Sequence, residues 1–156
     1  MQIISPIKIK GQKTIIINWK HRTITDLVNE VRPKIKDIEL GGYSIGGTIA
    51  LILSQELKLK KLVLYSPSPL FKESVNKLSE SALKVLGKKR LADANNYSLK
   101  NLNVKVKTEI YIGDEEIKEM ISFAKVLNKR LNSSLFLVKD CNHYNLMSTL
   151  NRNKRR

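Results

Sequence analysis

Residues 37–53 read DIELGGYSIGGTIALIL, and this stretch decides the fold. Its first half is a short apolar run that ends in glycines, which predicts a buried strand leading into a tight turn. Its second half is apolar on nearly every side from Ile45 onward, which predicts a buried helix. The turn carries the pattern G-x-S-x-G at residues 42–46, with Ser44 in the middle. A strand that turns this sharply into a helix exposes the serine hydroxyl at the carboxyl end of the sheet.

The flanking sequence predicts more strands and helices in alternation. Strands are expected at residues 13–19, 60–67, 104–113 and 133–140, and helices at residues 23–36, 117–131 and from 142 onward. This order favours an α/β fold with a mostly parallel sheet and helices on both faces. A further β-rich run at residues 2–10 contains Pro6, which indicates an edge strand or a bend. Gly11-Gln12 separates this run from the next strand and is compatible with a hairpin turn.

Length and composition exclude several classes of protein. With 156 residues and 42% hydrophobic content, the chain can bury a substantial core, and we expect one domain over residues 1–156. The single cysteine, Cys141, excludes a disulfide scaffold and is expected to pack near the last strand. No apolar stretch is long enough to span a bilayer and no signal peptide is recognised, so we expect a cytoplasmic protein.

The charge is strongly positive but spread along the chain. There are 29 Lys and Arg residues against 14 Asp and Glu, a formal net charge of +15. Spread lysines are typical of a solvated surface; an anionic partner such as nucleic acid is the alternative, although no nucleic-acid motif is present. The exception is an acidic cluster of Asp114, Glu115, Glu116 and Glu119, which directly follows a predicted strand.

A nucleophilic serine needs a base within hydrogen-bonding distance and a carboxylate that orients the base. The chain has two histidines; His21 is expected at the surface, whereas His143 follows the last predicted strand in KDCNHYN. The acidic cluster follows strand 104–113. Because the carboxyl ends of parallel strands meet at one edge, we expect Ser44, a carboxylate of the cluster and His143 to lie together.

Four segments together resemble the α/β-hydrolase superfamily across about residues 13–150: GGYSIGG with its apolar helix, LVLYSPSP, EIYIGDEE and CNHYN. The resemblance implies that Ser44 is the nucleophile, that His143 is the general base, and that the backbone N–H of Ile45 is one oxyanion donor. It implies no metal and no cofactor.

The motif leaves two candidates for the acid. In the superfamily it usually lies three residues after the glycine that ends its strand, which is Glu116 counted from Gly113. Asp114 is the alternative acid, one position after that glycine.

The sequence departs from the superfamily before the glycine turn. Only about forty residues precede Ser44, and no His-Gly loop supplies a second oxyanion donor. Either residues 13–19 form the fourth strand and that loop is absent, or they form the third strand and residues 18–20 replace it. Residues 70–100 occupy the position of the superfamily's lid; we expect a vestigial lid, with one ordinary crossover helix and a loop as the alternative.

The expected function is that of a serine hydrolase that cleaves an ester, thioester or related acyl bond in a small-molecule acyl substrate. Two alternatives stay open. The first is a weak or inactive hydrolase-like domain that binds an anionic partner such as nucleic acid through its basic surface. The second is a partial hydrolase whose sheet and oxyanion hole are completed by a partner or by a second copy in an oligomer.

Overall fold

A computed structural model describes residues 1–153; the last three residues of the basic tail at 151–156 lie outside the described part. The strands are β1 (Gln2–Ser5), β2 (Lys13–Ile16), β3 (Glu39–Tyr43), β4 (Lys61–Tyr65), β5 (Lys107–Gly113) and β6 (Ser134–Val138). The helices are α1 (Ile24–Val31), α2 (Ile45–Leu53), α3 (Lys72–Val75), α4 (Glu80–Leu86), α5 (Lys88–Ala94), α6 (Lys118–Leu131) and α7 (Leu146–Asn153).

The six strands form one parallel sheet in the order β2-β1-β3-β4-β5-β6. The α/β architecture predicted from the sequence is therefore confirmed. Strand β3, which leads into the glycine turn, lies between β1 and β4. All strand carboxyl ends consequently meet at one edge of the sheet, the edge at which ligands bind in open α/β folds.

The possibility of a hairpin between the first two strands is wrong. Strand β1 pairs in parallel with β2 and lies inside the sheet, flanked by β2 and β3. Strand β1 ends directly before Pro6, which has no N–H to donate to a neighbouring strand. Ile9, in the connection, is buried in the same core cluster as Ile3 on one face of the sheet. The chain then returns to the start of β2, which gives a parallel pair.

Helix α1 begins where the sequence predicts but ends at Val31, five residues before the predicted end at residue 36. Thr23 caps its first turn and forms a reciprocal capping box with Asp26. The helix ends at Val31 and continues as a short 3-10 turn, Arg32–Lys34, which contains Pro33. Proline cannot donate the next helical hydrogen bond, so the helix narrows there and stops.

Helices cover both faces of the sheet, but unequally. One face packs against α1, α2 and α6 to form the larger core. On the opposite face, a smaller core joins sheet residues such as Tyr43 to Leu146 and Met147 of α7. Cys141 is completely buried in this second core, beside the last strand as predicted.

Between β4 and β5 the chain forms α3, α4, α5 and a short 3-10 helix, Leu99–Asn101. We refer to residues 72–101 as the crossover segment. No helix within residues 1–153 is both long and apolar enough to cross a membrane.

Candidate active site

Ser44 occupies a strained turn between β3 and α2. Its backbone has φ 56° and ψ −125°, a conformation that residues other than glycine rarely adopt. Holding a residue in such a conformation costs about 1–3 kcal/mol of folding free energy. The flanking glycines make the turn possible. A Cβ on Gly46 would lie 2.1 Å from the carbonyl oxygen of Ile4, and a Cβ on Gly42 would lie 2.3 Å from the carbonyl oxygen of Gly46. Any side chain at either position would therefore push α2 away from the sheet.

Ser44, His143 and Glu116 form one connected chain of hydrogen bonds. His143 Nε2 lies 3.0 Å from Ser44 Oγ, and His143 Nδ1 lies 2.9 Å from Glu116 Oε2. The three residues follow β3, β6 and β5, so the parallel sheet brings them together at its carboxyl edge. With the proton on Nδ1, the imidazole donates to Glu116 and accepts from the Ser44 hydroxyl, which is the arrangement of a nucleophile, a base and an orienting acid.

Asp114, the alternative acid, contacts the backbone instead of the imidazole. Its Oδ1 accepts a hydrogen bond from the Cys141 N–H at 3.3 Å. The Glu115 N–H donates to the Cys141 carbonyl oxygen at 2.9 Å. A Cβ on Gly113 would lie only 1.9 Å from that same oxygen. The turn that carries the acids is thus packed directly against the turn that carries His143, and Asp114 holds the two together.

The surroundings of Glu116 favour its ionised form. Its side chain is only 5% exposed, and burial alone would raise the pKa of this carboxyl. The hydrogen bond and charge of His143, together with the Ser66 hydroxyl and the Ile117 N–H, outweigh that effect and hold the pKa of Glu116 below its ordinary value of 4.5. Glu116 is therefore a carboxylate at neutral pH, as an imidazolium-stabilising partner must be.

Tyr43 contacts His143 and was missed by sequence reasoning, because it occupies the variable position before Ser44. Its hydroxyl donates a hydrogen bond to the His143 carbonyl oxygen, and the two rings stack with centroids 5.2 Å apart. Burial, with a smaller contribution from Glu116, raises the pKa of Tyr43 to about 12, so the phenol stays a neutral donor. The sequence feature that could have identified it is the alternation of side chains along β3, which places Tyr43 on the face opposite the larger core.

Ser66 is a second residue that sequence reasoning missed. It follows β4 at the same edge as Ser44, it is completely buried, and its backbone has φ 40°. Its hydroxyl has no partner of ordinary hydrogen-bond geometry among the described residues, but it lies near enough to Glu116 to favour the carboxylate. The sequence feature that could have identified it is its position in LVLYSPSP, where a serine directly follows a continuous apolar strand.

Known structures resemble this chain along nearly its whole length. A lipase-esterase related protein from Clostridium acetobutylicum is 16% identical and matches 99% of this chain and 93% of its own, with a TM-score of 0.69. A putative thioesterase from Silicibacter sp. is 12% identical and matches 96% of this chain and 70% of its own, with a TM-score of 0.71. An α/β hydrolase enzyme from the metagenome of lagoon sediments at Mar Chica, Morocco, is 17% identical. It matches 99% of this chain and 88% of its own, with a TM-score of 0.62.

This chain has the α/β-hydrolase fold. The sequence matches no protein-family model and no curated protein. The likeness to known structures lies in the strand order and helix positions. The likeness in sequence is confined to short segments at the ends of four strands.

The backbone beside Ser44 comes from α2 and from the segment that follows β1. Ile45 is the first residue of α2, so its N–H has no partner within the helix. The strand beside β3 is β1, and residues 18–20 follow β2, one strand farther out. The segment that leaves β1 at the Ser44 edge contains Pro6, which has no N–H, and Ile7, whose N–H donates to Ser5 Oγ at 3.1 Å.

A cleft of about 560 Å³ opens in front of Ser44. Besides Ser44, Glu116 and His143, its lining comes from the loop after β4, the crossover segment, the start of α6 and the loop after β6: Ser68, Pro69, Leu78, Ser79, Ser81, Ala82, Val85, Leu86, Ile117, Glu119, Met120 and Tyr144. Its walls are mainly apolar, as in sites that bind small organic ligands. His21 is exposed and is absent from this lining.

The described residues contain no cluster of three or more His, Cys, Asp or Glu side chains that is arranged to hold a metal ion. The groups around Ser44 that can act chemically include its hydroxyl, the His143 imidazole, the Glu116 carboxylate and the backbone N–H groups at the start of α2.

Proposed function

We propose that this chain is a serine hydrolase that cleaves an ester, thioester or related acyl bond of a small-molecule substrate. The observation that carries the proposal is the connected chain of Ser44 Oγ, His143 and Glu116, with distances of 3.0 Å and 2.9 Å. The hydroxyl at its end opens into a mainly apolar cleft. The likeness to hydrolase, esterase and thioesterase structures supports the same class of reaction.

In the first half of the reaction, Ser44 Oγ attacks the carbonyl carbon of the substrate. His143 Nε2 takes the hydroxyl proton, and the resulting imidazolium is stabilised by the Glu116 carboxylate at Nδ1. The former carbonyl oxygen gains the negative charge and accepts a hydrogen bond from the Ile45 N–H at the positive end of α2. Collapse of this intermediate expels the leaving group, which receives the proton from His143, and leaves an acyl-serine.

In the second half, a water molecule replaces the leaving group. His143 removes a proton from the water as the water oxygen attacks the acyl carbon, and the second tetrahedral intermediate again places its charge near Ile45. When the bond to Ser44 Oγ breaks, His143 returns the proton to that oxygen. The products are a carboxylic acid and the free enzyme.

The crossover segment acts as a small cap in this proposal. Its helix α4 contributes the apolar side chains of Ala82, Val85 and Leu86 to the cleft. The proposed catalytic groups come from the carboxyl edge of the sheet. We propose that residues 1–156 work as one catalytic domain with this cap.

Covalent labelling tests the proposal. A fluorophosphonate probe should label the protein at Ser44, and Ser44→Ala should abolish labelling and lower kcat/KM on p-nitrophenyl esters at least about 10³-fold. Ser134→Ala removes an exposed serine at the start of β6 and should label like the wild type. A folded wild-type protein that neither reacts with the probe nor hydrolyses the esters would remove the proposal.

A further inference from the structure

The catalytic cleft differs in charge from the rest of the protein. The chain has 29 Lys and Arg among its 156 residues, yet none of the residues that line the cleft is Lys or Arg. The acidic lining residues are Glu116 and Glu119. A substrate that enters this cleft therefore meets negative charge, although the protein as a whole is strongly positive.

The two acids are not equivalent. Glu116 is paired with His143, so much of its charge is already balanced when the imidazole is protonated. Glu119 lies in the first turn of α6 and forms no ion pair within 4.0 Å in the part of the chain that the structure describes. A neighbouring groove contains Lys77 and Lys118, and it shares Pro69, Leu78 and Glu119 with the cleft.

The remaining walls favour an alkyl or aromatic group. Val85 on α4 is 67% exposed and Ile117 at the start of α6 is 52% exposed, although both are large apolar side chains. Together with Leu86 and Met120 they line the cleft. An apolar substrate group that covers them gains about 25 cal/mol for each Å² of apolar surface removed from water.

We propose that Glu119 is a specificity-determining residue that makes the cleft select uncharged, apolar acyl groups and reject acyl groups that end in a carboxylate. This inference rests on the proposed acyl hydrolase function. A terminal carboxylate loses the hydrophobic gain at Val85 and Ile117 and is also repelled by Glu119. No lysine or arginine lines the cleft to compensate for that repulsion.

Two esters with acyl chains of equal carbon number measure this selection. The acyl group of p-nitrophenyl hexanoate ends in a methyl group, whereas mono-p-nitrophenyl adipate has a carboxylate at the equivalent position. The wild-type enzyme should prefer the hexanoate by roughly 50-fold in kcat/KM. Glu119→Gln should reduce that ratio about fivefold, and Glu119→Lys should reduce it further. The ratio is the readout because changes in folding or enzyme concentration cancel from it.

Glu80→Gln is the matched control. Glu80 is an exposed acid in the first turn of α4 and does not line the cleft. The substitution therefore removes the same charge from the start of a helix beside the cleft. Its hexanoate-to-adipate ratio should equal that of the wild type. The Glu119 effect should also shrink as salt is raised from 10 mM to 500 mM, because the Debye length falls over that range from about 30 Å to a few ångströms.

Several results would overturn the inference. Equal hydrolysis of both esters by the wild type, an unchanged ratio in Glu119→Gln, or an equal shift in Glu80→Gln would each contradict a role for Glu119. In all three cases the enzyme still hydrolyses esters, so the proposed function survives. Absence of turnover on both esters, together with absence of Ser44 labelling, would instead overturn both proposals.

Discussion

The two edges of the sheet differ in the side chains that they carry. Lys13, Lys61 and Lys107 begin β2, β4 and β5 at the amino edge, and further lysines lie within three residues before the strands: Lys36, Lys58, Lys60 and Lys105. The carboxyl edge instead carries Ser44, the acidic cluster and His143. The parallel topology thus separates these groups in part, because Asp37 and Glu39 also lie at the amino edge and Lys139 follows β6 at the carboxyl edge.

The edges also differ in backbone strain. Ser44, Ser66 and Asp140, at or just after the ends of β3, β4 and β6, all have positive φ. At the amino edge, Asn132 has φ 48°, a left-handed conformation that is common at the end of a helix. The amino edge is tied by exposed or half-buried ion pairs such as Lys13–Asp37, which contribute about 0–1 kcal/mol each. Strain is therefore concentrated where the proposed chemistry occurs, as is common at functional sites.

The largest expected effect separates the two candidate acids of the carboxyl edge. Glu116→Gln should lower kcat/KM by about 10³–10⁴-fold, because an amide can neither balance the imidazolium nor fix the same tautomer. Asp114→Asn should lower kcat/KM by less than about tenfold, since it weakens only the hydrogen bond to the Cys141 N–H. Steady-state kinetics on p-nitrophenyl hexanoate distinguish the two variants. A larger loss in Asp114→Asn would assign the acid to Asp114.

A smaller effect is expected at Tyr43. Tyr43→Phe keeps the stacked ring but leaves the His143 carbonyl oxygen without its donor, so kcat/KM should fall roughly three- to tenfold. Tyr65→Phe is the control, because Tyr65 lies in the same second core on the neighbouring strand. If both variants lose activity equally, the Tyr43 hydroxyl has no specific part in holding His143.

The pH dependence of stability should also report the carboxyl edge. The pKa of Glu116 is lowered by folding, so the carboxylate stabilises the folded state above its unfolded pKa of 4.5, and that contribution is lost as the pH falls through the lower folded pKa. Urea unfolding at pH 7 and at pH 3 measures the loss. Glu116→Gln should lose less stability over this range than the wild type. An identical loss in both proteins would mean that Glu116 has the same pKa folded and unfolded.

The smallest effect is expected at the amino edge. The double variant Lys60→Gln and Lys105→Gln alters two exposed side chains, and it should change kcat/KM by less than about 1.5-fold and the free energy of unfolding by less than about 0.5 kcal/mol. Enzyme kinetics and urea unfolding test both quantities. A strong effect on catalysis would show that the two edges are coupled through the sheet.

The sequence predicts the elements of the fold better than their arrangement. Apolar runs and the glycine turn locate β3, α2 and the later strands to within a few residues. The position of β1 between β2 and β3 was not predictable, because strand order depends on which strands pair and not on the residues within one strand. Gly11 between two β-rich runs moreover resembles a hairpin turn.

The candidate site shows the same limit. Ser44 and His143 could be named because strand ends in a parallel sheet must share an edge. The choice between Asp114 and Glu116 could not be made from spacing alone, since both follow Gly113 closely. It depends on how the turn packs against Cys141, which takes the Asp114 carboxylate and leaves Glu116 for the imidazole.

Helix α7 begins three residues after His143, and it buries Leu146 and Met147 in the second core. Undocking of this helix would release the loop that carries the base while the rest of the sheet stays folded. With His143 as the proposed base, we expect the fraction of active molecules to follow a local opening equilibrium of α7. Amide hydrogen exchange in residues 146–150 should consequently track enzyme activity as temperature rises, before the larger core on the other face begins to melt.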